Sequence, residues 1–266
     1  QGALGQRHIA VSRIYELLEP VRTIADRAGA VVMSHYHPGV EVRTKSDASP
    51  VTAADEAAER LIVAALTELT PDIPIVAEEE IAAGRTPRID GERFWLVDPL
   101  DGTKEFIARN GEFTVNIALV ERGRPVLGVV LAPAMGRMFY AAGPGSASER
   151  GPDGARRGIA ARSPPAAGVV IVSSRSHGDS TEISRLAAGA PVAAQRIVGS
   201  SIKFCLVAGG EADLYPRYGA TSEWDTAAGH AVLAAAGGSV RTLDGRDLAY
   251  GKPRFLNPEF IARGRA

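Results

Sequence analysis

The sequence of 266 residues is poor in cysteine, in lysine and in long apolar runs. Its only cysteine, Cys205, excludes an internal disulfide and is typical of a protein from a reducing compartment. No apolar stretch approaches the roughly 18 residues that a membrane-spanning helix needs. Neither sign of charge is in excess, because 30 basic residues face 31 acidic ones and the net charge is −1. A near-neutral chain has no overall field that attracts nucleic acid or an anionic membrane, so we expect neither as a partner.

Residues 1–20 also lack the basic start and apolar core of a signal peptide. We therefore expect a cytoplasmic protein without integral membrane contact, while peripheral association with the inner face of the membrane stays open. The hydrophobic content of 45% is enough to bury a substantial core in one large domain or two smaller ones.

Hydrophobic spacing predicts an α/β protein in which helices and strands alternate. Helices are expected over 9–38, 53–69, 180–188, 201–208 and 226–236. Strands are expected over 73–77, 94–97, 138–142, 169–172, 212–215 and 239–242, with a hairpin formed by 113–120 and 125–132. Residues 143–168 are rich in Gly, Pro, Ser and Arg, which predicts loops and a boundary. The order suggests an N-terminal α+β portion (1–165) and a C-terminal α/β portion (166–266), with a cleft between them.

The strongest functional signal is the segment Asp-Pro-Leu-Asp-Gly that begins at Asp98. The apolar run Phe94–Val97 predicts a buried strand that ends at Asp98. Asp101 then follows in a tight turn, which Pro99 stiffens by fixing its own φ. Taken alone, this segment is also common turn chemistry.

The residues after the two aspartates suit a bound anion. Gly102 lets the backbone approach a ligand closely, and Thr103 and Lys104 open a segment whose free N–H groups suit phosphate. Two carboxylates next to an anion require hard cations between them, and Mg²⁺ prefers oxygen ligands of this kind. The local interpretation is a Mg²⁺-dependent phosphate-ester site.

Three further acids each have an ordinary and a functional interpretation. Glu78 follows the strand 73–77 and is either an acidic helix start or a metal ligand. Asp55 is either a first-turn acid or the group that holds the Thr103 hydroxyl and so orients an attacking water. Asp225 is either the N-cap of the helix over 226–236 or part of a metal's coordination shell.

Together these motifs resemble those of a known family. Glu-Glu, Asp-Pro-Leu-Asp-Gly-Thr and Trp-Asp-x-Ala-Ala, in this order and at these intervals, are similar to the inositol monophosphatase superfamily of Mg²⁺-dependent, lithium-sensitive phosphatases. The similarity runs from about Lys45 to the C-terminal region. A narrower resemblance, to the CysQ-type 3′(2′),5′-bisphosphate nucleotidases, is carried by Lys104–Ile107, Arg109–Ala118, Ser174–His177, Gly199–Cys205 and Leu214–Arg217. The resemblance implies a layered α-β-α-β-α sandwich of the sugar-phosphatase type.

The resemblance also implies roles for individual residues. The implied metal ligands, which would hold two or three Mg²⁺ ions with Asp98 bridging, are Glu78, Asp98, the Leu100 carbonyl, Asp101 and Asp225. Asp55 and Thr103 would position the water, with Glu78 as a third catalytic group. The Gly102 and Thr103 amides would receive the departing phosphate. Glu80 extends the Glu-Glu pair and leaves open which glutamate is the ligand; Glu78 is expected by alignment.

Substrate choice is expected from the C-terminal half. The guanidinium of Arg217 suits a second phosphate through a bidentate contact, and Lys203 adds a cation. The other expected substrate contacts are Lys104, Ser174, Arg175, Gly199 and Ser200. These residues favour a small nucleotide bisphosphate, 3′-phosphoadenosine 5′-phosphate, cleaved to AMP and phosphate, with the 5′-phosphosulfate as a second substrate.

Two other classes of function stay open at this point. One is an inositol-phosphate, fructose-bisphosphate or histidinol-phosphate phosphatase on the same scaffold, and the other is a non-catalytic binding protein. Both a monomer and a homodimer remain compatible with the sequence.

Overall fold

A computed structural model describes residues 2–45, 50–89, 92–174 and 191–265 of the chain, with side chains from Ile14 onward. Within these ranges the helices are α1 (Gly2–Ser34), α2 (Ala53–Leu69), α3 (Glu78–Ala82), α4 (Thr103–Ile107), α5 (Ile202–Ala208) and α6 (Ala227–Ala235). The strands are β1 (Val42–Thr44), β2 (Pro50–Thr52), β3 (Ile75–Ala77), β4 (Arg93–Asp101), β5 (Thr114–Glu121), β6 (Arg124–Ala132), β7 (Arg137–Ala142), β8 (Ser148–Arg150), β9 (Arg156–Gly158), β10 (Val169–Ser173), β11 (Val192–Ile197), β12 (Leu214–Arg217), β13 (Thr221–Ser222), β14 (Ser239–Thr242), β15 (Leu256–Asn257) and β16 (Phe260–Arg263).

The larger sheet has seven strands in the order β3-β4-β5-β6-β7-β8-β9. Only its first pair, β3 with β4, is parallel. Side chains alternate across the sheet, so Trp95 and Val97 pack against α1 and α2, whereas Phe94 and Leu96 face the opposite side. The predicted hairpin between β5 and β6 is confirmed. Arg122 (φ 51°) and Gly123 (φ 73°) form its two-residue turn, as a primed hairpin turn requires.

The middle layer consists of α5 and α6, which lie between the two sheets. Gly128 of β6 lets α6 approach closely, because a Cβ atom there would lie 2.4 Å from the Ala228 carbonyl oxygen. On the other side, the five-stranded sheet β11-β10-β12-β16-β14 covers this layer. Phe204 of α5 lies 5.0 Å from the ring of Tyr215 and 5.7 Å from that of Phe260.

The described residues thus form four successive layers, α-β-α-β, and the mixed α/β class expected from the sequence is confirmed. The predicted helix over 180–188 lies outside the described residues. The division at 165/166 stays a prediction; one core cluster contains buried residues from both of its sides, including Leu96 and Phe204.

The prediction of loops throughout 143–168 is wrong, because β8 and β9 extend the larger sheet in this segment. Charged pairs, rather than alternating apolar residues, hold these strands. Glu149 accepts hydrogen bonds from Arg137 Nε at 2.6 Å and from Arg157 Nη2 at 2.6 Å. Hydrophobic periodicity in the sequence therefore could not predict β8 and β9. The first helix also differs from its expected 9–38, since it begins at Gly2 and ends at Ser34.

Candidate functional site

The two aspartates of the central motif lie on one face of the larger sheet because β4 contains a bulge. Asp98 pairs with Asn116 and Asp101 pairs with Thr114, so three steps along β4 match two along β5. In a regular strand, residues three apart point to opposite faces; one extra residue returns them to the same face. The predicted strand end at Asp98 is therefore wrong, since β4 continues to Asp101. Pro99, which has no N–H to give to the ladder, fits this bulge.

Each aspartate uses one carboxylate oxygen to accept a backbone N–H. Asp98 Oδ1 accepts from Leu100 N at 3.0 Å, and Asp101 Oδ2 accepts from Ser201 N at 2.6 Å. Asp225 Oδ2 accepts from Ser222 N at 2.9 Å. These bonds fix three carboxylates that come from two parts of the chain, β4 and the segment before α6.

Asp225 is not the cap of helix α6. The helix begins at Ala227, and Thr226 occupies its N-cap position. The carboxylate of Asp225 instead turns back toward the backbone of Ser222. The ordinary interpretation of Asp225 is therefore wrong, and its placement beside the central motif needs another reason.

Negative charge is crowded at this site. Burial, together with the charges of Glu78, Asp101 and Asp225, raises the pKa of Asp98 well above its usual range. Burial and the charges of Asp101 and Glu78 do the same to the pKa of Asp225. Burial raises the pKa of Asp101 to about 6, while Lys203 and the Ser201 N–H oppose that rise. Carboxylates in such surroundings are stabilised in their charged form by a cation.

The three consecutive glutamates do not share one partner: Glu78 and Glu79 both contact Lys45, whereas Glu80 turns to Arg85. Glu80 forms an exposed ion pair with Arg85, with Oε1 2.8 Å from Nη2. Glu78 is near the aspartates, since its charge raises the pKa values of Asp98 and Asp225. Glu80 is thus held away from the aspartates, and Glu78 stays the predicted glutamate of the site.

Sequence reasoning did not identify Lys45 as part of this site. Its Nζ lies 2.7 Å from Glu78 Oε1 and 2.6 Å from Glu79 Oε1. Burial raises the pKa of Glu79 to about 7. The carboxylate of nearby Glu59 accepts hydrogen bonds from the N–H groups of Glu79 and Glu80. Burial raises the pKa of Glu59 to about 7 as well. The scarcity of lysine in the sequence was the only available signal for Lys45.

The structure brings Thr103 and Asp55 together. Thr103 Oγ1 lies 3.1 Å from Asp55 Oδ1 and 3.3 Å from the Leu100 carbonyl oxygen. Asp55 Oδ2 also accepts from the N–H and the hydroxyl of Thr52, at 2.7 and 2.6 Å, in a capping box at the start of α2. Asp55 therefore both caps α2 and holds the Thr103 hydroxyl, because its two carboxylate oxygens have different partners; the orienting of a water stays a prediction. Burial raises its pKa.

Beside these carboxylates lies a cleft of about 240 Å³. Its walls include most of the predicted substrate contacts together with two of the carboxylates: Asp101, Gly102, Lys104, Ser174, Gly199, Ser200, Lys203, Arg217 and Asp225. Predicted Arg175 lies outside the described residues. Gly102 has a left-handed φ of 95°, and a Cβ atom there would lie 3.1 Å from the Glu112 carbonyl oxygen.

The two predicted phosphate-binding cations, Arg217 and Lys203, differ in how many of their N–H donors already have partners within the protein. Arg217 Nη1 donates to Ser174 Oγ at 2.9 Å and Nη2 to the Ala220 carbonyl at 3.1 Å, while its buried Nε finds no partner among the described residues. Lys203 is buried, and its Nζ donates to the carbonyls of Val198 and Ser200 at 3.0 and 2.6 Å. Burial lowers the pKa of Lys203 to about 8. Two of the three N–H donors of Lys203 thus bind backbone carbonyls of the cleft wall.

The chemistry of the donor set fits Mg²⁺. All the side-chain donors are carboxylate oxygens, and the Leu100 carbonyl oxygen faces the same region as the Thr103 hydroxyl. In the part of the chain that the structure describes, no three His, Cys, Asp or Glu side chains lie in an arrangement that could hold a metal ion. Each carboxylate instead has its own N–H or ammonium partner, as mutual repulsion would dictate.

None of the described helices has the length and apolar character needed to cross a membrane.

Comparisons with known sequences and with solved structures agree with one another. The chain is 50% identical, over 92% of its length and 98% of the relative, to the 3′(2′),5′-bisphosphate nucleotidase CysQ of Salmonella typhimurium. It is 49% identical to the protein of that name from Escherichia coli K12, again with 92% and 98% covered. Among solved structures, CysQ from Bacteroides thetaiotaomicron matches with a TM-score of 0.78 and 37% identity, over 93% of this chain and 97% of that one. An inositol monophosphatase from Zymomonas mobilis matches with a TM-score of 0.76 and 27% identity, over 94% and 93%. The model of the inositol monophosphatase family matches residues 14–264, and the chain belongs to that family.

Proposed function

We propose that the protein is a Mg²⁺-dependent 3′(2′),5′-bisphosphate nucleotidase that hydrolyses the 3′-phosphate of 3′-phosphoadenosine 5′-phosphate to AMP and phosphate. The observation that carries this proposal is the single cleft in which Asp101 and Asp225 face Arg217 and Ser174. Such a cleft suits a ligand with one phosphate at the carboxylates and another at the guanidinium. Half-identical relatives with this activity in their name support it. The 5′-phosphosulfate analogue is a second candidate substrate of the same site.

Proteins of this family are metal-dependent phosphatases that generally use Mg²⁺. Here Glu78, Asp98, Asp101, Asp225 and the Leu100 carbonyl would hold two or three ions. Bound Mg²⁺ would neutralise charge on the phosphate and lower the pKa of a coordinated water. The metal would also relieve the repulsion that raises the pKa of Asp98.

The chain's own residues would position the attacking water. Thr103 donates its hydroxyl proton to Asp55, which leaves the Thr103 oxygen free to accept a hydrogen bond from water. That contact aims the water's lone pair at phosphorus, and Asp55 holds the hydroxyl in place. Glu78 would belong to the same catalytic group as one of the carboxylates that hold the metal.

The remaining cleft residues would bind the substrate. The Gly102 and Thr103 amides would receive the departing phosphate, and the proposed contacts to the rest of the nucleotide are Lys104, Ser174, Arg175, Gly199, Ser200, Lys203 and Arg217. Arg217 is the strongest candidate among them, because its buried Nε is still without a partner in the described part of the chain. Lys203 would act mainly by holding the carbonyls of Val198 and Ser200, which shape the wall.

The test is phosphate release from 3′-phosphoadenosine 5′-phosphate with Mg²⁺, beside inositol 1-phosphate and fructose 1,6-bisphosphate. We expect a preference for the nucleotide of about a hundredfold in kcat/KM, or about 2.7 kcal/mol of differential transition-state binding. Equal or inverted rates would agree with phosphatase activity but contradict the proposed nucleotide substrate. No release from any of the three would overturn the catalytic function.

A charge reversal tests the second phosphate. Arg217→Glu should remove most of the nucleotide preference while the rate on inositol 1-phosphate stays within a few fold. Arg27→Glu is the matched control, because Arg27 is exposed on α1, across the larger sheet from the cleft. Equal losses on both substrates in the Arg217 variant would contradict a role in recognising the second phosphate.

A further inference from the structure

Strand β5 carries a polar side chain in the middle of the core. Its residues from Thr114 to Val120 are buried, and Asn116 is only 1% exposed. Because side chains alternate, Asn116 points away from its neighbours Val115 and Ile117 and toward the side of the sheet that carries Asp98. A buried amide that does not pair fully is costly, so its position requires a reason.

The orientation of the Asn116 amide is fixed on its oxygen side. Ser201 Oγ donates to Asn116 Oδ1 at 2.7 Å, and the same hydroxyl oxygen lies 2.9 Å from Thr114 Oγ1. The Ser201 N–H meanwhile binds Asp101 Oδ2. These bonds join Asn116 to a proposed metal ligand through one intervening residue and direct the Asn116 NH₂ group elsewhere.

The NH₂ group itself lacks an acceptor. Asn116 Nδ2 is buried and has no hydrogen-bond partner among the described residues. An unsatisfied buried donor costs about 1–3 kcal/mol, and such groups in folded proteins commonly mark a place where a ligand or water is bound. Directly across the strand pair stands Asp98, also 1% exposed, whose Oδ1 already accepts from Leu100 N. Side chains at opposed positions of an antiparallel pair lie close together.

We propose that Asn116 is a positioning residue of the metal site, whose NH₂ group donates to an oxygen ligand of the ion held by Asp98. The inference rests on the proposed metal-dependent function. Mg²⁺ keeps several oxygen ligands and waters around it, and a neutral donor next to them orients the ligands without adding a charge. Asn116 thereby links the ion at Asp98 to the hydrogen bonds that hold Asp101.

The test measures Mg²⁺ binding by calorimetry without substrate, in wild-type protein and in Asn116→Ala and Ser201→Ala. Asn116→Ala removes the donor and should weaken Mg²⁺ binding by about 10–100-fold, the usual effect of losing such a partner. Ser201→Ala is the matched control, because it removes only the hydroxyl on the Oδ1 side and keeps the Ser201 N–H to Asp101. It should weaken binding by less than about threefold. Asn116→Ser, which restores a hydroxyl donor, should recover part of the affinity.

Circular dichroism and thermal midpoints in EDTA establish that each variant is folded. If Asn116→Ala is not, Asn116→Leu, which is close to asparagine in size and has no donor, replaces it in the comparison with Ser201→Ala. Mg²⁺ affinity in the variant that lacks the donor within twofold of wild type would overturn the inference. So would equal losses in the Asn116 and Ser201 variants, which would indicate a merely structural role. Absence of Mg²⁺ binding in the wild type would instead contradict the proposed metal-dependent function.

Discussion

At the scale of single residues, the Thr103 hydroxyl is the group that we expect to orient the attacking water in the proposed reaction. It lies between Asp55 Oδ1 and the Leu100 carbonyl, at 3.1 and 3.3 Å, in a position to orient one water. We expect Thr103→Val to lower kcat by about 10²–10⁴-fold, the range for a lost proton-transfer or water-orienting group, with KM changed little. Steady-state kinetics would measure both constants. Thr103→Ser keeps the hydroxyl and should retain most of the rate; an equal loss in both variants would mean that the methyl group, not the hydroxyl, is needed.

Asp98 illustrates how function and stability oppose each other at one residue. Burial and neighbouring carboxylates raise its pKa well above the usual range, so its charged form is unfavourable without a cation. We expect Asp98→Asn to abolish phosphate release and yet to raise the free energy of unfolding in EDTA at pH 8 by about 1–2 kcal/mol. Urea unfolding with EDTA would show the gain. A loss of stability would mean that the charge on Asp98, which strengthens its bond from the Leu100 N–H, stabilises the fold by more than the repulsion destabilises it.

At the scale of elements, the contact of helix α6 with the larger sheet places Asp225. A Cβ atom on Gly128 would lie 2.4 Å from the Ala228 carbonyl oxygen and 2.8 Å from Ala231 Cβ. We therefore expect Gly128→Ala to push the helix away and to cost about 1–3 kcal/mol of unfolding free energy, measured in urea. Gly158→Ala is the control, since a Cβ atom there meets nothing within 4 Å. Equal stability of the two variants would contradict tight packing at Gly128.

The same helix carries a buried histidine that should affect stability in acid. His230 Nδ1 lies 3.0 Å from the Tyr250 hydroxyl, and burial lowers the pKa of His230 from 6.5 to about 4. Between these values the unfolded chain binds a proton that the folded chain does not, so stability falls as the pH drops from about 6.5 to about 4. We expect this part of the loss, about 2–3 kcal/mol, to be absent in His230→Gln.

The measurement is the difference in unfolding free energy between wild type and His230→Gln at pH 7 and at pH 4.5. Comparing the two proteins cancels the titration of the many carboxyl groups they share. A difference that does not change with pH would show that His230 does not remain neutral in the folded protein.

At the scale of the whole molecule, the proposed metal site joins parts of the chain that are far apart in sequence. Asp98 and Asp101 come from β4, Glu78 from the start of α3, and Asp225 from the segment before α6. Because the unfolded chain does not bring these ligands together, Mg²⁺ should bind the folded state and stabilise it, by about 2.7 kcal/mol at a concentration a hundredfold above Kd. Thermal unfolding with Mg²⁺ and with EDTA would measure the shift. Asp98→Asn should show little shift, and an equal shift in that variant would place the stabilising ion elsewhere.

Local patterns in the sequence identified much of this protein. Periods of two and 3.6 residues located the central strands and the helices α2, α5 and α6, and the turn residues Arg122 and Gly123 located the hairpin. The motif around Asp98, with Glu78 and Asp225, was enough to indicate the family. These features are readable because hydrophobic spacing, turn chemistry and ligand type are properties of neighbouring residues.

The tertiary structure decided what depends on residues distant in sequence. Asp98 and Asp101 share a face only because β4 bulges against β5, and the carboxylate of Asp101 is bound by a backbone N–H one hundred positions away, at Ser201. The contact of Lys45 with Glu78 and the inward turn of Lys203 likewise depend on how the layers pack. Spacing along the chain carries no information about such pairs, because burial and the partners available to each charged group are set only when the two sheets close on the helices between them.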